Sequence, residues 1–381
     1  MKRSFFTYRI TEALRLARLL SAGLLLTLTL PACDDDSNGE AEPGLIQPTG
    51  KAPDYAPNID PQMLAVIEQF VAFGTPPLAT LSPRQARMAP SITDAVEAAL
   101  SKNNQEAPAA NVTISQQVLP KNYTPQSAAD GILVRIYKPN GLIGSLPVIV
   151  YYHGGGWVIG SLNVYEPSAK ALAERTGAIV VSVDYRLSPE FKFPAAHEDA
   201  FAAYKWVREN AASIGGNPAK VAVAGESAGG NMAAGVGILA RERNVPLPVH
   251  QLLVYPVANN DLATASYNQY ANAKPLDRPS VEYFVMNYLS NPAVEGNDRL
   301  ISLVDVADLR GLPSATIIAA EIDPLKTDGE LLRDRLQAAG VAVMYQLYPG
   351  TTHEFFGTYA VVPKANEAQD FAAARLKAAF Q

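Results

Sequence analysis

Apolar and polar positions divide this chain into a leader, a polar stretch and a long body. Lys2, Arg3, Arg9, Arg15 and Arg18 stand against the single acid Glu12, and Leu19 to Leu30 then runs uncharged. That layout is the one a secretory signal uses, and the run is shorter than the roughly 20 residues a helix needs to cross a bilayer. Residues 34–59 are acidic, rich in Pro, Gly and Ser and without apolar periodicity, which predicts a disordered tether. Asp60 then offers an N-cap and Pro61 a first helical position, with Met63, Leu64, Ile67, Phe70 and Val71 on one face. Ser82-Pro83 repeats the cap pattern, and Ile92, Val96 and Leu100 predict a further helix. Because these helices precede any strand, they read as a cap piece over about 60–105.

From Asn111 the period changes. Residues 111–120 and 132–139 alternate apolar and polar and predict an antiparallel pair at a sheet edge. Residues 147–153, 178–185, 220–225, 252–256 and 315–321 are short, nearly continuous apolar runs, as strands buried on both faces of a parallel sheet require. Helical text separates them over 168–175, 195–212, 228–240 and 329–339; residues 342–348 supply a last strand and 365–380 a closing helix. Strand and helix alternate, so the fold class is α/β, a mostly parallel doubly wound sheet of about eight strands. Residues 259–309 break the alternation with an aromatic helical stretch at 280–289 and read as a second, inserted cap piece. The body is thus one domain over 60–381.

Composition narrows the function classes. A net charge of -6 with scattered Lys and Arg gives no footprint for nucleic acid. Cys33 is the only cysteine and closes the leader as Leu30-Pro31-Ala32-Cys33, so an intramolecular disulfide is excluded. The segment 1–33 resembles a bacterial lipoprotein signal. That resemblance implies lipidation at Cys33 and a membrane-anchored protein of the cell envelope; an ordinary cleaved signal, with periplasmic or secreted product, is the alternative.

Candidate chemistry centres on Gly225-Glu226-Ser227-Ala228-Gly229, a G-x-S-x-G between a buried strand and a helix. A serine there sits on a sharp turn that exposes its hydroxyl. Acyl transfer at a serine also needs a base, a carboxylate to orient it, and N–H donors for the oxyanion. Where nucleophile, acid and base follow in that chain order, only His250 and His353 of the four histidines are late enough. His250 leaves little sequence for an acid, so His353 is the base. Asp323 directly follows a strand and is fixed by Pro324; Asp328, next along, reads as a helix-opening acid. His153-Gly154-Gly155-Gly156-Trp157 leaves a strand with no side chains on three residues, which lets several N–H groups converge, and Ala228 adds an N–H at a helix start.

Together HGGGW at 153–157, DYRLSPE at 184–190, GESAGGN at 225–231, DPL at 323–325 and His353 with Phe355 resemble the hormone-sensitive-lipase branch of the α/β-hydrolases, which includes bacterial carboxylesterases. The resemblance implies Ser227 as nucleophile, Asp323 and His353 as its partners, and Gly155, Gly156 and Ala228 as oxyanion donors. It implies a structural His153, with Asp184 and Glu190 tying down a loop. Thr327 and Glu354 depart from the family pattern, which has an acid and a glycine there. A carboxylate beside His353 is expected to raise its pKa or narrow the pocket.

A serine carboxylesterase on short- to medium-chain esters is the function these residues favour, with no cofactor or metal. The alternatives are a deacetylase or amidase on a glycan or peptide, and a non-catalytic ligand-binding relative. The sequence leaves the oligomeric state open.

Overall fold

The structure, a computed structural model, describes residues 44–123, 128 and 130–381. The expected signal segment with Cys33, and the first part of the expected tether, lie outside the described residues.

Eight strands form one sheet in the order β1-β2-β4-β3-β5-β6-β7-β8. β1 (Val112–Val118) and β2 (Leu133–Pro139) are antiparallel to their neighbours, as their alternating text predicts. The apolar runs become the parallel strands β3 (Leu146–Tyr152), β4 (Ile179–Asp184), β5 (Gly216–Glu226), β6 (Gln251–Val254), β7 (Ala315–Ile322) and β8 (Val343–Thr352). Helices α1 (Pro61–Ala72), α2 (Pro83–Met88) and α3 (Ile92–Lys102) precede the sheet. Those that follow are α4 (Glu166–Thr176), α5 (Ala195–Asn210), α6 (Ala228–Glu242), α7 (Ala265–Gln269), α8 (Arg278–Tyr288), α9 (Pro292–Glu295), α10 (Lys326–Ala338) and α11 (Pro363–Ala379).

Each sheet face carries its own apolar cluster because successive strand side chains alternate between faces. Val148, Val150, Val221 and Val223 pack against α5 and α6, while Ile149, Tyr151, Ala222 and Ala224 face a cluster shared with α4 and α11. The predicted caps also form: the Asp60 carboxylate accepts from the Gln62 and Met63 amides, and Ser82 closes a capping box on α2; Ser91 closes another, not predicted, on α3.

Three expectations need correction. Residues 44–59, expected as tether, lie against the domain: Ile46, Ala56 and Ile59 are buried, and Glu68 accepts from the Thr49 and Gly50 amides. Sparse apolar residues suffice there because the neighbouring helix supplies the partners. The leading helices are only partly cap, since Met63 to Ile67 and Ile92 to Leu100 join the sheet-face cluster of α4 and α11. Likewise the insertion is not a roof along its whole length. Leu300, Leu303, Val304 and Leu309 are buried in the cluster beneath α5 and α6, and no regular element marks them because their backbone runs in turns.

Candidate active site

Parallel strands deliver their C-terminal ends to one edge of the sheet, and the residues singled out in the sequence sit just beyond those ends. Ile322 pairs with Thr352 at the last register position of β7 and β8. The next residues on the two strands, Asp323 and His353, therefore emerge side by side. Ser227 follows β5 and is the N-cap of α6.

The His353 Nδ1 lies 2.6 Å from Asp323 Oδ2, and its Nε2 lies 3.0 Å from Ser227 Oγ. All three side chains are buried. Asp323 is itself oriented, because its Oδ1 accepts from the Leu325 amide at 2.9 Å. Ser227 adopts φ 56° and ψ −118°, a conformation that costs a side-chain-bearing residue about 1–3 kcal/mol. Packing of the turn enforces it. The Ser227 amide donates to Val254 O at 2.9 Å, and a Cβ on Gly229 would come within 2.0 Å of Tyr152 O, so only glycine lets α6 approach β3 this closely.

Gly155 and Gly156 both have positive φ, 101° and 57°. A Cβ at Gly156 would strike the Phe284 ring at 2.1 Å, so the roof helix α8 rests directly on the glycine turn. Ala228 is the first residue of α6, where the amide lacks an intrahelical partner. Ser227, Gly155, Gly156 and His353 line one cavity of about 500 Å³, roofed by Phe284, Tyr288 and Leu289.

The four histidines have different surroundings. His153 is buried, stacked 4.3 Å from Tyr185 and hydrogen-bonded to Gly154 O. His197 bridges Tyr288 and Asn231, and His250 lies between Ser314 and Thr316. Burial pushes each of these three down to about 4, so they are neutral at ordinary pH. His353 goes the other way. Burial alone would lower it, but the Asp323 charge and hydrogen bond, with Glu354 and Glu226 behind them, raise it above the ordinary histidine value.

Several residues here escaped sequence reasoning. Glu226 is buried and accepts from the hydroxyls of Tyr151 and Tyr255, and the Tyr255 ring lies 4.5 Å from that of His353. Asp328 does open α10, but its carboxylate is buried and accepts from the Ala258 and Asn259 amides at 2.9 and 3.0 Å. Ser266, on α7, donates to Pro324 O and accepts from the Thr327 amide, tying the Asp323 loop to the insertion. Glu190 pairs with Arg87. Asp184, by contrast, is exposed, and the loop after β4 is held by Asp199, which accepts from the Arg186 amide and guanidinium. The helix-opening place of Asp328 and a loop role for Glu190 were expected and the same role for Asp184 is not seen; for the other positions only polar character is visible in sequence.

This sheet, with a serine on the turn after β5 and an acid and a histidine after β7 and β8, has the layout of an α/β-hydrolase. The profile of a family described as alpha/beta hydrolase fold matches residues 149–357, and the chain belongs to that family. A carboxylesterase of Mycobacterium tuberculosis, NlhH, is 45% identical over 253 residues, 65% of this chain and 79% of the relative. An arylesterase of Saccharolobus solfataricus is 37% identical, over 59% of this chain and 73% of its own. Among solved structures, a thermostable esterase from Pseudomonas putida superposes with a TM-score of 0.76 at 31% identity, covering 86% of this chain and 99% of that one.

Proposed function

We propose that the protein is a serine carboxylesterase that hydrolyses short- to medium-chain carboxylic esters through an acyl-enzyme at Ser227. The observation that carries this reading is the connected line from Ser227 Oγ to His353 Nε2 and from His353 Nδ1 to Asp323. In this mechanism Ser227 Oγ attacks the ester carbonyl while His353 takes its proton. The oxyanion is met by the amides of Gly155, Gly156 and Ala228, at a helix start whose dipole favours negative charge. His353, now charged beside Asp323, returns the proton to the leaving alcohol. Water activated by the same imidazole then releases the acid.

Acyl length follows from the roof. A cavity of about 500 Å³ closed by Phe284, Tyr288 and Leu289 gives an acyl chain apolar contact worth about 0.8 kcal/mol per methylene until it is full. kcat/KM should therefore climb with chain length and fall beyond roughly four to eight carbons. A series of nitrophenyl esters tests this. A maximum within that range is the expected result; preference for emulsified long-chain triglyceride, or no ester hydrolysis at any length, would refute it.

The leader supports a location. A thiol at the end of a short apolar run suits acylation, so the enzyme is proposed to be anchored to a membrane of the cell envelope through lipid on Cys33. Cys33→Ser should move activity out of the membrane fraction; equal fractionation of both forms would exclude the anchor.

A further inference from the structure

The cavity wall beside His353 carries a carboxylate that makes no ion pair among the described residues, and we infer that it selects esters whose leaving alcohol bears a cation, an ammonium a few bonds from the ester oxygen. The inference rests on the carboxylesterase reading and adds a substrate class to it.

Among the described residues, four charged side chains besides His353 line the cavity: Arg87, Lys274, Asp277 and Glu354. Three of them are already matched. Arg87 holds Glu190 through two hydrogen bonds of 2.9 and 2.5 Å, and its other N–H groups reach the carbonyls of Val158 and Ser188. Lys274 and Asp277 pair with each other at 2.6 Å. Glu354 forms no ion pair with another side chain among the described residues, and its Oε1 accepts a hydrogen bond from the Tyr165 hydroxyl at 2.8 Å. Burial and the neighbouring carboxylates hold the Tyr165 phenol well above its ordinary pKa, so it donates as a neutral group and brings no charge of its own to the contact.

Position assigns this charge to one half of the substrate. Glu354 directly follows His353, whose Nε2 must hand its proton to the leaving oxygen, so the wall that Glu354 occupies borders the alcohol side of the ester. Tyr165 and Phe70 line the same cavity, and aromatic faces favour an alkylated ammonium over an equally shaped neutral group. The backbone gives a second, independent observation. Glu354 sits at φ 64° and ψ 12°, the left-handed region that favours glycine, at a cost of about 1–2 kcal/mol for a residue with a Cβ. Conformations of this kind persist where the surrounding structure enforces them, and they cluster at ligand-facing sites.

The test compares two esters of equal shape, butyrylcholine and dimethylbutyl butyrate, in which carbon replaces the ammonium nitrogen. Acid release is followed at a pH above the His353 midpoint, so that the base is neutral in every form. The parent enzyme should prefer the cationic ester by about ten-fold in kcat/KM. Glu354→Gln and Glu354→Gly should each bring the ratio close to one, and added salt should lower it in the parent. A parent ratio of one or below, or a preference that survives in both variants, overturns the cation site while the esterase reading stands. Failure of the parent on both esters overturns the cation site, and failure on nitrophenyl butyrate as well overturns the esterase reading.

Discussion

Asp323→Asn is the perturbation whose outcome the geometry fixes most tightly. The Asp323 carboxylate makes two opposed bonds: Oδ1 accepts from the Leu325 amide at 2.9 Å, and Oδ2 faces His353 Nδ1 at 2.6 Å. An asparagine has one oxygen and one NH2 for these two places. The Leu325 amide can only donate, so the oxygen must turn toward it and the NH2 toward His353. Nδ1 then has to accept, and the ring proton moves to Nε2, pointing at Ser227 Oγ 3.0 Å away. That tautomer cannot take the serine proton. The equivalent change in a serine protease triad lowers kcat about ten-thousand-fold, or about 5.5 kcal/mol in the barrier, and the same loss is expected here. Because the variant keeps volume and a hydrogen bond to each partner, with only the one to His353 reversed, its Tm should move little. kcat on a nitrophenyl butyrate and a thermal melt measure both. A loss below ten-fold with an unchanged melt would show that Asp323 does not set the tautomer of His353.

Two further outcomes follow from the charges. In the proposed mechanism His353 takes the serine proton and must therefore be neutral, and Asp323, Glu354 and Glu226 raise its pKa against the lowering effect of burial. Activity should therefore rise with pH through a midpoint above the ordinary histidine value of about 6.5, and Glu354→Gln should move that midpoint down; an unmoved kcat/KM profile would remove Glu354 from the site's electrostatics. Asp328 is pushed up to about 8 by burial, against the lowering effect of the Ala258 and Asn259 amides. The folded state thus binds its proton more tightly than the unfolded chain, so stability falls as pH rises from the ordinary Asp range toward about 8. Asp328→Asn retains the acceptor oxygen and should flatten that decline in Tm between pH 5 and 8; parallel curves for parent and variant would contradict it.

The parallel sheet was legible because strands buried on both faces must be written in nearly continuous apolar residues, as at 147–152 and 315–320. Of the proposed site residues, Ser227 and Asp323 stand out in sequence because each follows such a run, and His353 because it lies late in the chain, just past the more alternating last strand; the register of β7 and β8 brings 323 beside 353. The fate of residues 44–59 and 296–309 was not. Their apolar residues are too few or too irregular to show a period, and they are ordered by surfaces distant in sequence. Glu226 and Asp328 read as a variable motif position and a helix-opening acid. Their burial is made tolerable by Tyr151, Tyr255 and two loop amides, which no local pattern announces. Glu354 was visible as an odd neighbour for His353 expected to raise its pKa or narrow the pocket, but its backbone conformation and its bond to Tyr165 were not.

Acylation of Ser227 is the central claim. A serine-directed phosphonate bearing a nitrophenol leaving group, followed by peptide mass mapping, tests it directly. One adduct on the peptide carrying Ser227, appearing in step with loss of esterase activity and absent from Ser227→Ala, is the predicted result. Full inactivation with the adduct on another residue, or ester turnover retained by Ser227→Ala, would contradict it.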